Sequence, residues 1–237
     1  IVRLNQLGLL RRLDRVSSVS GGSITSALLG LRWRELTWDE DGVATNLEEL
    51  VVRPIFDFAG SKVDVRCIAL GLVTPGRSAS DLVARRYDRH LYDGVTLQDL
   101  PAPGEGPQFV IDATNVQTGH LFRFSREHLA DWSLGRWDGP TTALAGAVAA
   151  SSSFPPLLSP YRLRPTGTYT NVLPPELEVA RAAMHTSSPS AGGHAGSTDA
   201  PSVARPLYGT DFLQPVLLTD GGVYDNLGLQ VVLPDDQ

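Results

Sequence analysis

The segment "VSSVSGGSITSALLG", residues 16–30, combines residue types that suit nucleophilic acyl transfer. A nucleophilic serine must protrude from the end of a strand with a helix directly behind it, and small neighbours allow the sharp turn. Here Ser18, Val19, Ser20, Gly21 and Gly22 fit the pattern G-x-S-x-G, except that serine replaces the first glycine. The pattern favours Ser20 as nucleophile and Gly21 and Gly22 as oxyanion- and substrate-binding residues at a helix N-terminus.

Three other interpretations of this corner exist. Ser23 is a second candidate nucleophile through "GGSIT", but Thr25 stands where the following glycine would be, and Ser23 falls within the first helical turn. Serine and glycine are also common helix caps, so the corner taken alone fits a plain strand-to-helix turn equally well. A phosphate-binding helix start is disfavoured, because no G-K-[ST] follows and Lys62 is distant in sequence.

A serine hydroxyl is a weak nucleophile unless a base takes its proton. Asp220 follows the apolar run "VLLT" and precedes two glycines, which predicts a carboxylate at the C-terminal end of a strand. Functional groups gather at that edge of α/β sheets, so we expect Ser20 and Asp220 at the same rim of one sheet. Taken alone, however, Asp-Gly-Gly is also an ordinary turn sequence.

A catalytic triad would need a histidine, and none of the five has a favourable setting. His185 and His194 lie in a low-complexity segment, and His128 lies in a polar surface stretch. His120 falls in a hairpin turn and His90 on a predicted helix. An ordinary surface role is the better interpretation of each. A histidine-dependent esterase or protease of another fold is therefore a weaker alternative.

The elements that would position these residues follow from local patterns. "DRVSSV" predicts a strand, the apolar spacing in "ITSALLGLRWREL" a helix, and the leucines of residues 2–13 another helix. "QFVIDATNV" and "HLFRFS", joined by "QTG", predict a hairpin. Three further helices are predicted. "NLEELVVRPIFDFA" predicts a helix that ends at Pro54, "SASDLVARRYDRHLY" one that begins at a capping serine or aspartate, and "TTALAGAVAASSS" one that ends at "FPP". "QPVLLTD" predicts a buried strand.

Composition restricts the class of protein. The 237 residues, 42% of them apolar, predict a single α/β domain over 1–237, with a flexible low-complexity loop at 184–202. A net charge of −6 argues against a nucleic-acid partner. Cys67 is the only cysteine, so neither a disulfide nor a cysteine-based metal site is expected within the chain. No apolar run approaches the ~20 residues of a membrane-spanning helix.

Four segments together resemble the patatin-like phospholipases, relatives of the cytosolic phospholipase A2 catalytic domain. "SSVSGGSI" resembles their nucleophile elbow, and "TDGGVYDNLGL" resembles their Asp-Gly-Gly/Ala motif. "IDATNVQTGHLFRFS" and "AVAASSSFPPLLSP" are similar to their intervening segments, and all four occur in family order. The resemblance implies a three-layer α/β/α domain with a mostly parallel central sheet.

The resemblance also implies hydrolysis of lipid acyl esters by a Ser–Asp dyad, which maps onto Ser20 and Asp220, without a metal or cofactor. An acyl-lipid substrate such as a phospholipid implies contact with a membrane or lipid surface. The expected location, which the sequence does not fix, is cytoplasmic or peripheral to a membrane. Phe154 and Leu157 are expected either to line the acyl pocket or to pack in the hydrophobic core. Asp225 and Asn226 are expected to brace the turn after Asp220.

One departure from the family pattern matters. The family carries a Gly-rich loop with a basic residue before the elbow, and its N–H groups complete the oxyanion hole. Between Ile1 and Ser20 this sequence has only Gly8, so we expect the first strand and its loop to be missing. Because loss of one oxyanion donor costs about 10²–10³ in rate, we expect weak or absent activity. The alternative function is then an inactive, lipid-binding or scaffold protein.

Overall fold

The structure is a computed structural model, and it describes residues 1–60, 78–131, 133–155, 158–170 and 215–229. Several sequence predictions fall outside these ranges. The expected flexible loop at 184–202 is one of them, and so are the predictions that involve Lys62, Cys67, Leu157, His185 and His194. Helices and strands are both present among the described residues, as the sequence patterns predict.

Five α-helices lie in the described part of the chain: α1 (Val2–Gln6), α2 (Gly21–Arg32), α3 (Arg53–Gly60), α4 (Ala79–Tyr87) and α5 (Leu144–Ser151). Helix α4 begins at a capping box, in which the Ser78 hydroxyl accepts the Asp81 N–H and the Asp81 carboxylate accepts the Ser78 N–H. Every residue of α5 is buried, which its alanine-rich sequence permits because small side chains allow close packing.

The described strands are β1 (Arg15–Val19), β2 (Gln108–Asn115), β3 (Leu121–Phe124), β4 (His128–Asp131), β5 (Gly135–Asp138), β6 (Tyr161–Leu163), β7 (Thr168–Thr170) and β8 (Val216–Asp220). They form one sheet in the order β6-β8-β2-β3-β4-β5-β7, with β1 paired to β2. Only the β1–β2 pairing is parallel among the described strands. The expectation of a mostly parallel sheet is therefore wrong here, because β2 to β5 form a meander in which each strand turns back on the last.

Strands β1 and β8 lie end to end along the same side of β2. Val19, the last residue of β1, pairs with Asp112, and Asp220, the last residue of β8, pairs with the next residue, Ala113. Strand β3 occupies the opposite side of β2 at these positions. Since β1 runs parallel to β2 and β8 runs antiparallel to it, their C-terminal ends point toward each other. The two ends thus meet within the sheet. The sequence had led us to expect a common rim of the sheet instead.

The main hydrophobic core lies on one face of the sheet, under α2 and α5. From β2 it receives Phe109, Ile111 and Ala113, which alternate along the strand and so point to the same face. Helix α2 packs against this face closely enough that a Cβ on Gly30 would stand 3.1 Å from the Phe109 ring. The core therefore holds the helix that follows Ser20 against the central strand.

Two helix predictions are wrong in their extent. Residues 2–13 do not form one helix, because the chain turns at Gly8, which has φ +66° and passes so close to Asp41 that a side chain would clash with the Asp41 carbonyl. Conversely, the helical stretch that precedes Pro54 does not end there. A π-helical turn at Glu48–Val52 leads directly into α3, where Pro54 lies in the first turn and its missing N–H is tolerated.

Candidate active site

Ser20 lies at the junction of β1 and α2 in a strained backbone conformation. Its φ is 53° and its ψ is −129°, and Asp93 is the only other non-glycine residue with positive φ among the described residues. Such a conformation costs roughly 1–3 kcal/mol and persists only where the surroundings enforce it. The Ser20 side chain at this turn is half-buried, and its hydroxyl contacts Asp220.

The Ser20 hydroxyl donates a hydrogen bond of 2.6 Å from Oγ to Oδ2 of Asp220. The other carboxylate oxygen, Oδ1, accepts the Gly222 N–H at 2.8 Å. Asp220 is 3% exposed, and its backbone is fixed on both sides: its N–H donates to the Ser153 carbonyl and its carbonyl accepts the Thr114 hydroxyl. The contact expected between Ser20 and Asp220 is therefore present, and Asp220 is held in place through both its backbone and its carboxylate.

Gly21 and Gly22 are exposed in the first turn of α2. A Cβ placed on either residue would meet no atom within 4 Å, so the space beside their backbone is open. N–H groups in a first helical turn have no carbonyl partner within the helix, and the helix dipole favours negative charge there. The turn therefore offers an accessible, positively polarised surface next to the Ser20 hydroxyl, as an oxyanion requires.

Ser151, at the end of α5, supports the strained turn, a role that sequence reasoning missed. Its Oγ accepts the Ser20 N–H at 3.0 Å, contacts the Ser23 hydroxyl at 2.8 Å and donates to the Asp112 carbonyl at 2.6 Å. Ser23, the competing nucleophile, is fully buried in this contact, so no ester could reach it without local opening. The geometry thus favours Ser20 over Ser23.

The three serines that end "AVAASSS" contact three different parts of the site. Ser151 binds the turn at Ser20, Ser152 lies 3.2 Å from the hydroxyl of Tyr87, and the carbonyl of Ser153 accepts the Asp220 N–H. Burial raises the pKa of Tyr87, and the negative charge of Asp220 adds to this effect, so Tyr87 lies close to the site. The run of serines was visible in the sequence, but their separate partners were not.

The turn after Asp220 is closed by backbone contacts. Gly221 packs so closely on β2 that a Cβ would clash with the Asp112 carbonyl, and the Asp225 N–H donates to the Gly221 carbonyl at 2.9 Å. Asp225 also accepts the Leu227 N–H through Oδ1. Asn226 stands close to Gly222, where its Oδ1 would lie 2.9 Å from an added Cβ. These contacts agree with the expected bracing role, which Asp225 fulfils within the turn.

The described histidines lie elsewhere. His128 is on β4 and half-buried, which corrects the expected surface position; burial and the nearby Arg136 lower its pKa. His120 ends the β2–β3 hairpin turn, and His90 is exposed in a π-helical turn after α4. The Ser20 hydroxyl donates to the Asp220 carboxylate, which also accepts the Gly222 N–H. No histidine ring is among these hydrogen-bond partners.

Other expectations concern the surroundings of the site. The Phe154 side chain, expected in the acyl pocket, is 54% exposed beside Ser153. Within the described ranges, no three histidine, cysteine, aspartate or glutamate side chains are grouped as metal ligands would be. No helix in these ranges has the length and apolar character needed to span a bilayer.

Comparison with known proteins identifies the wider family. The patatin family model, described as patatin-like phospholipase, matches residues 3–233, nearly the whole chain. No curated protein and no solved structure matches the chain. The match confirms the family resemblance drawn from the four sequence segments, and with it the α/β/α fold class apart from the direction of the strands.

Proposed function

The chain belongs to the patatin-like phospholipase family, which indicates lipid acyl hydrolase activity, and from this premise we propose that Ser20 and Asp220 form its catalytic dyad. The observation that carries the proposal is the 2.6 Å hydrogen bond from the hydroxyl of a strained, half-buried serine to a buried carboxylate. Such a pair supplies both a nucleophile and the base that nucleophile needs.

The proposed reaction proceeds through an acyl-enzyme. Ser20 Oγ attacks the ester carbonyl carbon while its proton passes to Asp220 Oδ2. The carbonyl oxygen becomes an oxyanion, which the N–H groups of Gly21 and Gly22 and the dipole of α2 stabilise. When the C–O bond to the alcohol breaks, Asp220 returns the proton to the leaving oxygen, and the acyl group remains on Ser20.

Water completes the cycle in the proposed second half-reaction. Asp220 takes a proton from a water molecule that attacks the acyl carbon, and it returns that proton to Ser20 Oγ as the fatty acid leaves. The Gly222 N–H at Oδ1 leaves Oδ2 as the proton-accepting oxygen throughout. The open space beside Gly21 and Gly22 supports access of an acyl ester from this side.

We propose a phospholipid or another acyl lipid as substrate, approached at a membrane or lipid surface. The whole described chain acts as one hydrolase domain in this proposal, since its two catalytic groups come from opposite ends of the sequence.

A fluorophosphonate probe and a p-nitrophenyl acyl ester test the proposal together. We expect the probe to label Ser20, and Ser20→Ala to abolish both labelling and hydrolysis. Ser125→Ala is the control, because Ser125 is a buried serine, less exposed than the half-buried Ser20, whose hydroxyl bonds within the β3–β4 turn. A wild-type protein that binds lipid but neither reacts with the probe nor cleaves the ester would instead be a lipid-binding or scaffold member of the family.

A further inference from the structure

We propose that Asp112 is a positioning residue for the dyad: as a neutral acid, it donates a hydrogen bond to Ser17, which in turn holds the segment that follows Asp220. The proposal rests on the function proposed above as far as catalysis is concerned. The structural part of the proposal is that a protonated Asp112 on β2 donates to Ser17 on β1, which donates to Gly228 in the loop. This part can be tested without any hydrolase activity.

Asp112 lies at the centre of β2 and is fully buried. It pairs with Val19 of β1 on one side and with Arg123 of β3 on the other. Its neighbour Ala113 pairs with Asp220, and successive side chains of a strand point to opposite faces. The Asp112 side chain therefore lies across the sheet from the dyad and does not touch the reacting groups.

Hydrogen counting at Ser17 assigns the proton. Ser17 Oγ lies 2.8 Å from Asp112 Oδ2 and 2.7 Å from the Gly228 carbonyl oxygen. A hydroxyl has one hydrogen, and both an ionised carboxylate and a carbonyl can only accept. Both contacts are complete hydrogen bonds only if Asp112 carries a proton on Oδ2, donates it to Ser17 Oγ, and Ser17 donates to Gly228.

The surroundings of Asp112 favour the neutral acid. Its Oδ1 is buried and has no hydrogen-bond partner. Asp131 on β4 makes a useful contrast, since it is equally buried but accepts five hydrogen bonds, from Asn115, Thr118, Ser133 (twice) and Leu134. A buried carboxylate is tolerated where donors surround it, and Asp112 lacks them.

The charges that face Asp112 act in both directions. Burial raises the pKa of Asp112 to about 7; the Ser17 hydrogen bond and Arg123 oppose this, and Asp225 adds to it. Arg123 comes from β3 and makes no ion pair with Asp112, whereas Asp225 comes from the loop after Asp220. Arg15, on the same face of β1 as Ser17, has an exposed side chain.

The Ser17 hydroxyl holds a loop that is tied to the catalytic carboxylate. This loop, residues 221–228, ends at Gly228, which packs so closely that an added Cβ would stand 3.1 Å from both Ser17 Oγ and Val19 Cγ2. Within it, Gly228 N–H donates to Asp225 and Asp225 N–H donates to Gly221. Gly222 N–H then binds Asp220 Oδ1, so a fixed Gly228 helps to fix the carboxylate.

Ionisation of Asp112 would change this arrangement. The carboxylate would take the only Ser17 hydrogen, and the Gly228 carbonyl would lose its donor. We therefore expect hydrolysis of a soluble p-nitrophenyl ester to fall above about pH 7 in the wild type. Asp112→Asn should remove this fall, because its amide donates to Ser17 at every pH, and should stay within about threefold of the wild-type kcat at pH 6.

Ser17→Ala is the complementary variant. It removes the donor to Gly228 permanently, so we expect a severalfold lower kcat at pH 6 as well as at pH 8. Three results would overturn the proposal: a tenfold loss in Asp112→Asn at pH 6, an alkaline fall in Asp112→Asn equal to that of the wild type, or an unchanged kcat in Ser17→Ala.

Urea unfolding separates this proposal from the proposed function. A carboxyl whose pKa rises from an ordinary 3.8 to about 7 on folding contributes stability that is complete below about pH 4 and lost as pH rises to about 7. The free energy of unfolding of the wild type should therefore decline over this range relative to Asp112→Asn. Parallel profiles would show an ionised Asp112 and overturn the proposal, whether or not the protein hydrolyses esters.

Amide hydrogen exchange over residues 221–229 provides the second readout that needs no activity. At pH 8 the wild type should exchange faster than Asp112→Asn, and Ser17→Ala should exchange fastest. Equal exchange in all three would overturn the role of Asp112 in holding the loop. An inactive wild type that shows both the stability and the exchange differences would remove the proposed hydrolase and leave Asp112 as a residue that positions the loop.

Discussion

The Ser20 hydroxyl lies 2.6 Å from the Asp220 carboxylate, although 200 positions separate the two residues in the sequence. Their contact follows from the collinear arrangement of β1 and β8 on one side of β2, which brings the ends of these strands to adjacent positions, Asp112 and Ala113. The central strand thus sets the spacing of the two residues of the proposed dyad, and the groups that attach to this strand become testable parts of the candidate site.

Asp220→Asn should lower kcat for a p-nitrophenyl ester by about 10²–10⁴-fold, because an amide cannot take the Ser20 proton. The fold should persist, since the amide oxygen can still accept the Gly222 N–H. Thermal unfolding checks the fold, and Asp99→Asn, which alters only an exposed cap, is the control. A variant of normal stability and normal rate would refute Asp220 as base.

Ser151→Ala should both destabilise the protein and slow reaction with a fluorophosphonate. The change removes the acceptor of the Ser20 N–H and the partner of the Ser23 hydroxyl, both buried or half-buried groups. Leaving such groups unsatisfied costs about 1–3 kcal/mol. Urea unfolding and the labelling rate measure the two effects.

The adjacent Ser152→Ala provides the comparison for Ser151. Ser152 is half-buried and contacts Tyr87 and its own helix, not the turn at Ser20. Its labelling rate should stay close to that of the wild type. If both variants slow labelling equally, the slowing comes from general loosening of the end of α5 and not from the Ser20 turn.

Two glycine substitutions should have opposite effects on the free energy of unfolding. Gly22→Ala has room for its methyl group and should keep the free energy of unfolding or raise it by up to about 1 kcal/mol, yet hydrolysis should fall as the methyl narrows the approach to Ser20. Gly221→Ala clashes with the Asp112 carbonyl and should destabilise by about 1–3 kcal/mol. Circular dichroism melts would measure the stability of both variants, and ester hydrolysis would measure the loss of activity in Gly22→Ala.

His128→Gln should leave hydrolysis at pH 7.5 unchanged and alter stability in acid. Because burial and Arg136 lower the His128 pKa below its usual 6.5, the folded state favours the neutral ring. Its contribution is complete above pH 6.5 and is lost as pH falls below that value. Urea unfolding between pH 7.5 and 5 should show a steeper decline in wild type than in His128→Gln. A large loss of hydrolysis would instead revive a histidine-dependent mechanism.

Local sequence patterns predicted several elements correctly. Strand β1, helix α2, the β2–β3 hairpin and strand β8 all lie where apolar spacing and turn residues indicated. These signals are local, because each depends on neighbours within one turn or one strand. The glycine-rich corner at Ser20 and the Asp-Gly-Gly turn share this property, so both candidate residues could be selected from the sequence.

The arrangement of strands and the supporting contacts were not predictable in the same way. Whether β8 pairs antiparallel to β2 depends on contacts between residues more than 100 positions apart, and the hydrogen bond from the Ser20 N–H to Ser151 joins residues 131 positions apart. Asp112 had no sequence signal of its own, since an aspartate in an apolar strand gives no information on its protonation. The break at Gly8 likewise depends on a distant backbone, at Asp41.

The placement of the dyad at the junction of two collinear strands also affects the order in which the site can form during synthesis. A ribosome delivers the nucleophile some 200 residues before the base, and until β8 docks against β2 the serine has no proton acceptor. In the proposed mechanism, a partly synthesised chain that lacks β8 therefore cannot cleave an acyl ester, however well its first half has folded. Ester cleavage would then report that β8 has docked beside β2.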